Sequence, residues 1–248
     1  MIEAQGLCKN FGSVEAVKDV SFTFLGPEIF GILGPNGAGK TTILRMLTGF
    51  YAPSAGTVSI NGLSVEDQCR EAKELIGYLP ENNPLYGDIS PREYLGFIAE
   101  VHLIPKSKKK NAIESALVSC GLEDFQHKRI DTLSKGYRQR TGLAAALIHD
   151  PPVLILDEPA SGLDPNQIIG LRSLIRELGK RKTLLLSTHV LQEAEALCSR
   201  LLILNEGRIQ AQGSLNEIAE SLGMNQAKLS LEGIFVKLTN AEKNHEAC

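Results

Sequence analysis

The sequence has no tryptophan, and aromatic residues make up only 5% of its 248 positions. It also lacks a strong excess of charge, because 26 lysines and arginines nearly balance 29 aspartates and glutamates, leaving a formal net charge of −3. Proteins that bind nucleic acid without sequence preference rely on a basic surface that neutralises phosphates. The charge balance therefore argues against a nucleic-acid partner.

Cysteine is sparse, and its pattern excludes two further kinds of protein. The five cysteines are scattered and never form a C-x-x-C pair: Cys8, Cys69, Cys120, Cys198 and Cys248. This spacing is typical of reduced thiols in a cytosolic protein, and it excludes a disulfide framework or a zinc site. Met1 leads into polar sequence without a signal peptide, and no apolar run approaches the roughly 18 residues of a membrane span. We therefore expect no transmembrane segment.

The order of apolar runs predicts an α/β fold. These runs are bounded by turn residues and alternate with helical patterns, as in a largely parallel sheet with crossover helices. Buried central strands are predicted at Ile29–Leu33, Ile76–Leu79 and residues 153–156 and 183–187. A strand over 57–60 ends at the hairpin-type turn Asn61-Gly62, and residues 201–205 reach residues 209–212 through a short turn. These three segments are predicted as edge antiparallel strands.

A glycine-rich segment follows the first of these strands: Gly34-Pro35-Asn36-Gly37-Ala38-Gly39-Lys40-Thr41-Thr42. It matches the pattern G-x-x-x-x-G-K-[ST] between a strand and a helix, the context that this pattern requires. The glycines let consecutive backbone N–H groups point at an anion, and the helix adds the positive end of its dipole. Lys40 can reach the β- and γ-phosphates, and the Thr41 hydroxyl can ligate Mg²⁺. The segment predicts binding of a nucleoside triphosphate.

Two acids end the strand predicted at 153–156, namely Asp157 and Glu158. In a P-loop protein the first acid after such a strand holds Mg²⁺, usually through water, which is the role expected of Asp157. Glu158 would then project toward the γ-phosphate and accept a proton from the attacking water. Two adjacent carboxylates are costly unless a cation lies nearby. The alternative is an acidic pair on the surface.

Between Pro91 and His149 the pattern becomes helical. Helices are predicted over Pro91–Val101 and residues 108–119 and 135–148, with no strand between them. They form an insert with boundaries near residues 80–83 and 150–152. Ser134 is a natural N-cap for the last of these helices, and Gly136 permits close approach of the backbone to a ligand. On its own this segment indicates no more than a helix cap.

A short basic run, Lys-Ser-Lys-Lys-Lys at residues 106–110, lies at the start of the second helix of the insert. Such a run usually forms a solvated helix face. Contact with anionic lipid headgroups is the alternative.

Taken in order, these motifs resemble those of the nucleotide-binding subunit of an ATP-binding cassette (ABC) transporter, through about Leu238. Residues 34–42 are similar to the Walker A loop, and residues 153–158 to the Walker B strand with its catalytic glutamate. Residues 133–139 resemble the signature sequence. Three further matches complete the set: the D-loop at Ser161-Gly162-Leu163-Asp164, the switch histidine at Thr188-His189, and the adenine-stacking aromatic at Phe11 in Lys9-Asn10-Phe11-Gly12.

The resemblance implies a fold and its division. It implies a P-loop NTPase (RecA-like) core with a small antiparallel β subdomain and an inserted α-helical subdomain. One ABC ATPase domain would span residues 1–239, with the catalytic core at 1–80 and 150–222. The helical subdomain would cover residues 81–149 and a C-terminal extension residues 223–239, followed by a polar tail at 240–248.

The resemblance also implies how ATP and Mg²⁺ are used. Two subunits would meet head to tail and trap two ATP molecules, each between the Walker A loop of one subunit and the signature of the other. Ser134 and Gly136 would then complete the partner's site, while His189 contacts the γ-phosphate and orients the water. Asp164 and Ser161 would couple the two sites. The pair is a homodimer or includes a second, related ATPase.

Two differences from the usual family motifs indicate which group within the family this sequence resembles. Glu81 replaces the glutamine of the Q-loop, and we expect it still to sense Mg²⁺ and to affect catalysis. The signature has Lys135 and Tyr137 where its commonest version has glycine and glutamine, although the serine and the second glycine remain. With Glu81, this form resembles the ATPases of ABC-2-type exporters. Within these, the stretch around Tyr78–Tyr86 and the ending at residues 231–238 are most similar to gliding-motility-type members.

The implied function is ATP hydrolysis that powers export, by a peripheral subunit at the cytoplasmic face of the inner membrane. The partner would be an integral-membrane permease whose short helix enters a groove near residues 81–86 and the insert. Tyr78 and Tyr86 are candidate anchors there, or core residues. The alternative is a soluble ABC ATPase that serves translation, repair or cluster assembly. The chain has neither the long coiled coil usual in repair members nor the second cassette usual in translation members.

Overall fold

The computed structural model describes residues 1–224 and 230–240. Four strands form a small antiparallel sheet: β1 (Ile2–Phe11), β2 (Val14–Phe24), β4 (Ala55–Ile60) and β5 (Leu63–Ser64). Their order across the sheet is β2-β1-β4-β5. The turn predicted between β4 and β5 is confirmed, because Asn61 and Gly62 both have positive φ, 49° and 83°, as a type I′ turn requires. The sequence pattern does not reveal β1 and β2, since three register shifts interrupt their pairing.

The larger sheet has six strands, and the nucleotide motifs lie at its carboxyl edge. The strands are β3 (Ile29–Leu33), β6 (Ile76–Leu79), β7 (Val153–Asp157), β8 (Thr183–Thr188), β9 (Arg200–Asn205) and β10 (Arg208–Gly213). They are arranged as β10-β9-β3-β8-β7-β6, with parallel pairing from β9 to β6. All residues of β3, β7 and β8 are buried, which explains their continuous apolar sequence.

The prediction of edge strands is wrong for β4 and β9. β4 lies between β1 and β5 in the small sheet. β9 pairs antiparallel with β10 but also parallel with β3, so that β10 alone of this hairpin lies at an edge, while β6, predicted as a central strand, lies at the opposite edge. Residues Leu201 to Asn205 are all buried, as expected for a strand covered on both faces.

Nine α-helices lie in the described ranges. They are α1 (Lys40–Leu47), α2 (Cys69–Glu74), α3 (Pro91–Val101), α4 (Lys106–Ser119), α5 (Lys135–Leu147), α6 (Pro165–Gly179), α7 (Leu191–Leu197), α8 (Leu215–Ser221) and α9 (Leu231–Asn240). The bounds predicted for α3 are confirmed, whereas α4 begins two residues before the predicted start and α5 ends one residue before the predicted end. None of the helices in residues 1–224 and 230–240 combines the length and apolarity needed to cross a membrane.

Two large apolar clusters hold the elements around the site. One contains α1, whose Ile43, Leu44 and Leu47 are buried among residues of both sheets. The other joins α3, α4 and α5 to the opposite face of the larger sheet through residues such as Leu95, Leu143 and Leu154. The loop before α1 is therefore fixed between rigid elements.

The C-terminal helix packs beside α7 and α8. Leu231 and Ile234 are buried there, and the Leu231 N–H donates to Glu195 Oε1 at 2.9 Å. The polar tail predicted from residue 240 falls, apart from Asn240 at the end of α9, on residues 241–248, outside the described residues.

Candidate nucleotide-binding site

The glycine-rich loop runs from the end of β3 to the start of α1, and two of its glycines cannot be replaced without moving backbone. A Cβ at Gly34 would lie 2.5 Å from the Leu204 carbonyl oxygen, and one at Gly39 would lie 2.6 Å from that of Ala16. Gly39 also has a φ of 101° and is the N-cap of α1. No hydrogen bond from a described side chain caps this helix end. The first N–H groups of α1 thus remain directed at the loop, where an anion can accept from them.

Lys40 is buried and its ammonium group is held at the rim of this loop. Its Nζ donates to the carbonyl oxygens of Gly34 at 2.8 Å and Pro35 at 3.1 Å. The same atom lies 3.6 Å from Glu158 Oε1. The positive charge therefore stands between the loop and the acid at the end of β7, where the terminal phosphates of a nucleotide would need it.

Asp157 lies at the end of β7 and accepts two hydroxyl hydrogen bonds. Thr41 Oγ1 donates to its Oδ1 at 3.3 Å, and Ser187 Oγ donates to the same oxygen at 2.5 Å. The carboxylate is buried, so these donors are what compensates its loss of water. Thr41 and Asp157, both predicted as Mg²⁺ ligands, therefore lie next to each other. Ser187 was not among the predicted site residues, and its signal is a polar side chain at the end of an otherwise apolar strand.

Glu158 is held in an uncommon backbone conformation beside His189. Its φ is 46°, a left-handed value that non-glycine residues rarely adopt. Its N–H donates to Ser187 Oγ at 3.0 Å and to the Ser187 carbonyl oxygen at 3.2 Å. Its Oε2 lies 2.5 Å from Nδ1 of His189. The carboxylate is thus held in position between an ammonium and an imidazole.

These groups surround an open depression of about 350 Å³. Its lining combines the loop, both catalytic candidates and the substituted Q-loop position: Ala16, Asn36, Gly37, Gly39, Lys40, Thr41, Thr42, Glu81, Glu158 and His189. Burial raises the pKa of nearby Tyr78 to about 12, and the charges of Asp157 and Glu81 add to this effect. Arg45 opposes this rise, and the two carboxylates are groups whose charge a divalent cation would neutralise.

The signature residues do not line this depression. Ser134 caps α5 and accepts a hydrogen bond from Gln167 Nε2 at 3.2 Å. A Cβ at Gly136 would lie 2.7 Å from the Gln167 side chain. Asp164 caps α6 and accepts from the Gln167 N–H at 3.0 Å. The signature and the D-loop are therefore neighbours, and Ser134 is exposed at the surface beside them.

Two other residues from the sequence motifs have local partners. Phe11 ends β1, is 43% exposed, and meets Tyr51 edge to face with ring centroids 5.3 Å apart. It lies outside the lining of the depression. Tyr137, a departure in the signature, stacks on Phe125 at a centroid distance of 3.8 Å. That departure therefore serves packing within the helical insert.

The comparisons with known proteins agree with this geometry. The family model described as ABC transporter matches residues 17–161. An uncharacterised ABC transporter ATP-binding protein, YxlF of Bacillus subtilis (strain 168), is 40% identical over 94% of this chain and 77% of its own length. The Nod factor export ATP-binding protein I of Rhizobium sp. (strain N33) is 41% identical over 88% of this chain and 72% of its own.

A solved structure of the ATP-binding subunit of an ABC transporter superposes with a TM-score of 0.86, at 31% identity, over 96% of this chain and 99% of that one. The predicted P-loop NTPase fold, with its antiparallel β subdomain and helices, is confirmed. These relatives are transport subunits, so they favour that function over the alternative of a soluble ABC ATPase. The chain belongs to the ABC transporter family, in which it is an ATP-binding subunit that hydrolyses ATP to power transport.

Proposed function

We propose that the chain powers an exporter of the ABC-2 type as a peripheral subunit at the cytoplasmic face of a membrane. The observation that carries this proposal is the Glu158 carboxylate between Lys40 and His189, at the open depression beside the phosphate loop. Similarity to a Nod factor export ATP-binding protein supports the direction of transport. The substituted Q-loop and signature support the narrower class.

The chain's own residues account for hydrolysis. The loop N–H groups and Lys40 bind the β- and γ-phosphates. A water oxygen attacks the γ-phosphorus, its proton passes to Glu158, and the bond from the γ-phosphorus to the β,γ-bridging oxygen breaks to release ADP. His189, hydrogen-bonded to Glu158, holds that carboxylate and contacts the γ-phosphate.

The site also fits Mg²⁺, which we propose as the metal. Thr41 Oγ1 and Asp157 Oδ1 are 3.3 Å apart, and both Thr41 and Glu81 line the depression, so this region offers the hard oxygen donors that Mg²⁺ prefers. In the described ranges no three acidic, histidine or cysteine side chains form a complete metal cage. Protein and nucleotide oxygens would share the coordination, and the ion would neutralise phosphate charge.

The separation of Ser134 and Gly136 from the depression supports a paired working unit. An exposed serine at a helix N-terminus can donate to a phosphate presented from outside. We propose that a second copy, or a related ATPase, presents its bound ATP to this surface. Ser161 and Asp164 lie in the adjacent loop and would couple the two sites.

The segment after Glu81 supports a permease contact next to the catalytic depression. Asn83 Nδ2 donates to the Arg138 carbonyl oxygen at 3.1 Å, which ties this segment to α5. Tyr86 is 56% exposed and meets the exposed Phe97 edge to face at 5.8 Å. Tyr78, by contrast, packs against the core. Of the two tyrosines, Tyr86 is therefore the one available as an anchor.

The deciding experiment is co-purification of the tagged chain from its own cells in mild detergent. We expect a multi-span membrane protein in stoichiometric amount. A Tyr86→Ser, Phe97→Ser variant should lose that partner, whereas Val118→Ser, a matched change at an exposed position of α4, should keep it. Recovery of ribosomes or DNA-processing proteins instead of a membrane protein would contradict the proposal.

A further inference from the structure

The tip of the α3–α4 hairpin carries an exposed leucine in a conformation that suits glycine. Leu103 is 70% exposed and has a φ of 54°. Its N–H donates to the Glu100 carbonyl oxygen at 2.9 Å, and the Ile104 N–H donates to that of Ala99 at 2.9 Å. This pair of bonds is the Schellman ending of a helix, in which glycine usually occupies the left-handed position.

The stability of the fold does not explain why a leucine occupies this position. A bulky side chain rarely adopts the left-handed region, and one that stays in water gains no burial in return. Val101, two residues earlier, is also 59% exposed. The hairpin therefore holds apolar groups outward at its tip.

The next residues concentrate positive charge where the helix itself is positive. Helix α4 begins at Lys106 and has no acidic residue in its first turn. Lys109 pairs with Glu100 at 2.6 Å, while Lys106, Lys108 and Lys110 are exposed and form no ion pair within 4 Å with any described residue. Cations at a helix N-terminus repel the helix dipole. An external anion would relieve that repulsion.

The charges and the apolar tip share one surface groove of about 800 Å³. Its lining is apolar at Leu103, Ile104 and Ile113 and charged at Arg92, Glu100, Lys106, Lys109 and Lys110. Glu100 pairs with Lys109 and Arg92 pairs with Glu114, so that the charges of the lining that form no ion pair with a described residue, those on Lys106 and Lys110, are positive. A ligand that suits both parts is anionic at one end and apolar at the other.

We propose that this hairpin tip binds anionic phospholipid at the membrane surface. The lysines lie among the headgroup phosphates, and Leu103 enters the boundary between headgroups and acyl chains. The inference rests on the proposed function for the presence of a membrane beside the subunit, but the tip itself needs no permease. It would orient the ATPase and limit its rotation under the membrane.

The test is binding of the purified chain to vesicles of phosphatidylcholine alone and of phosphatidylcholine with 30% phosphatidylglycerol, measured by flotation. We expect binding only to the anionic vesicles, weakened by salt because exposed charges are screened. Each lysine near an anionic surface contributes about fivefold in affinity, so the triple variant Lys106→Gln, Lys108→Gln, Lys110→Gln should bind about a hundredfold more weakly.

Two further variants separate the lipid contact from general effects. Removing the same charge elsewhere, with Arg70→Gln, Lys180→Gln and Arg208→Gln, should leave affinity within a fewfold. Leu103→Gly should weaken binding severalfold without lowering the melting temperature, because glycine suits the left-handed position.

Equal loss in the two triple variants would overturn the proposal, as would equal binding to both kinds of vesicle. A third result would also overturn it: the purified chain does not bind vesicles, and the triple lysine variant no longer co-purifies with the permease. That result would assign the tip to a protein partner. Failure to find any permease would contradict the proposed function alone, since vesicle binding uses the isolated chain.

Discussion

At the residue scale, Glu81 is where the chemistry of this chain departs from that of its family. A carboxylate carries a full charge where glutamine carries none. At ~6 Å and an effective dielectric constant of 20, that charge interacts with a unit charge by about 3 kcal/mol. The attraction to a cation and the repulsion from phosphate oppose each other in the depression that Glu81 lines. The net effect on turnover is therefore smaller than either interaction.

We predict that Glu81→Gln retains measurable ATPase activity, with an altered dependence on Mg²⁺ concentration. The control is Glu158→Gln, which removes the proton acceptor and should slow hydrolysis about 10²-fold or more without abolishing ATP binding. Steady-state phosphate release across a Mg²⁺ titration makes the comparison. Activity of Glu81→Gln as low as that of Glu158→Gln would show that the carboxylate is itself essential.

Ser187 supports both acids at once. Its hydroxyl donates to Asp157 at 2.5 Å and accepts from the Glu158 N–H at 3.0 Å. We predict that Ser187→Ala lowers the free energy of unfolding by about 1.5–3 kcal/mol, since a hydrogen bond to a charged group is lost, and also lowers ATPase activity. Ser199→Ala loses a neutral bond to the Ile29 carbonyl oxygen and serves as the control in urea unfolding. The idea fails if both variants lose the same stability and keep full activity.

At the scale of elements, two stacked histidines join the helical insert to the larger sheet. His102 follows α3 and His149 follows α5, with ring centroids 3.9 Å apart. His149 Nε2 lies 3.1 Å from the Ile76 carbonyl oxygen at the start of β6 and donates to it, whereas its buried Nδ1 has no partner among the described residues. Burial, aided by His102 and Lys182 and opposed by the Ile76 carbonyl and Asp150, lowers the pKa of His149 from 6.5 to about 4. Burial also lowers the pKa of His102, against Glu74.

This pair makes the fold sensitive to acid. Below pH 6.5 the unfolded chain takes up a proton at His149 that the folded chain does not bind until about pH 4. Stability contributed by the neutral ring is therefore complete above pH 6.5 and falls with decreasing pH, by up to about 3 kcal/mol. We predict that His149→Gln reduces the difference in unfolding free energy between pH 7 and pH 5, measured in urea. His127→Gln, at an exposed position, should not change that difference. If the two substitutions change it equally, the stacked histidines are not the cause of the acid sensitivity.

The elements that the sequence reveals are those whose neighbours impose a simple pattern. β3 and β7 are covered on both faces, so their apolar runs are unbroken and their positions follow directly. β1 and β2 have bulges that shift the alternation of apolar and polar residues, so the local pattern does not reveal these strands. β9 has an antiparallel neighbour on one side and a parallel one on the other, so its hairpin partner alone suggests the wrong position in the sheet. In the site, the loop and the acids obey fixed spacings, whereas Ser187 and Ala16 enter by tertiary proximity. Ala16 has no local signal, and that of Ser187 is only a polar side chain at the end of an apolar strand.

At the scale of the whole molecule, the nucleotide machinery is divided between two surfaces of one chain. The depression is lined by the phosphate loop, Glu81, Glu158 and His189, while Ser134 and Gly136 lie beside α6, outside that lining. Depression and signature can act on the same ATP only if a second subunit supplies one of them. In the proposed pair of subunits, ATP would form part of the interface, and hydrolysis would remove it.

This division predicts the behaviour of a variant that binds ATP and hydrolyses it slowly. Glu158→Gln with Mg·ATP should accumulate as a dimer of twice the monomer mass in light scattering, and wild type should do so only transiently. Ser134→Arg in the Glu158→Gln background should remain monomeric while still binding ATP, because the arginine fills the surface that receives the partner's γ-phosphate. Arg129→Ala in the same background, an exposed change in the loop between α4 and α5, should still dimerise. If Glu158→Gln stays monomeric at saturating ATP, the homodimer is excluded, and pairing with a related ATPase remains as the source of the second surface.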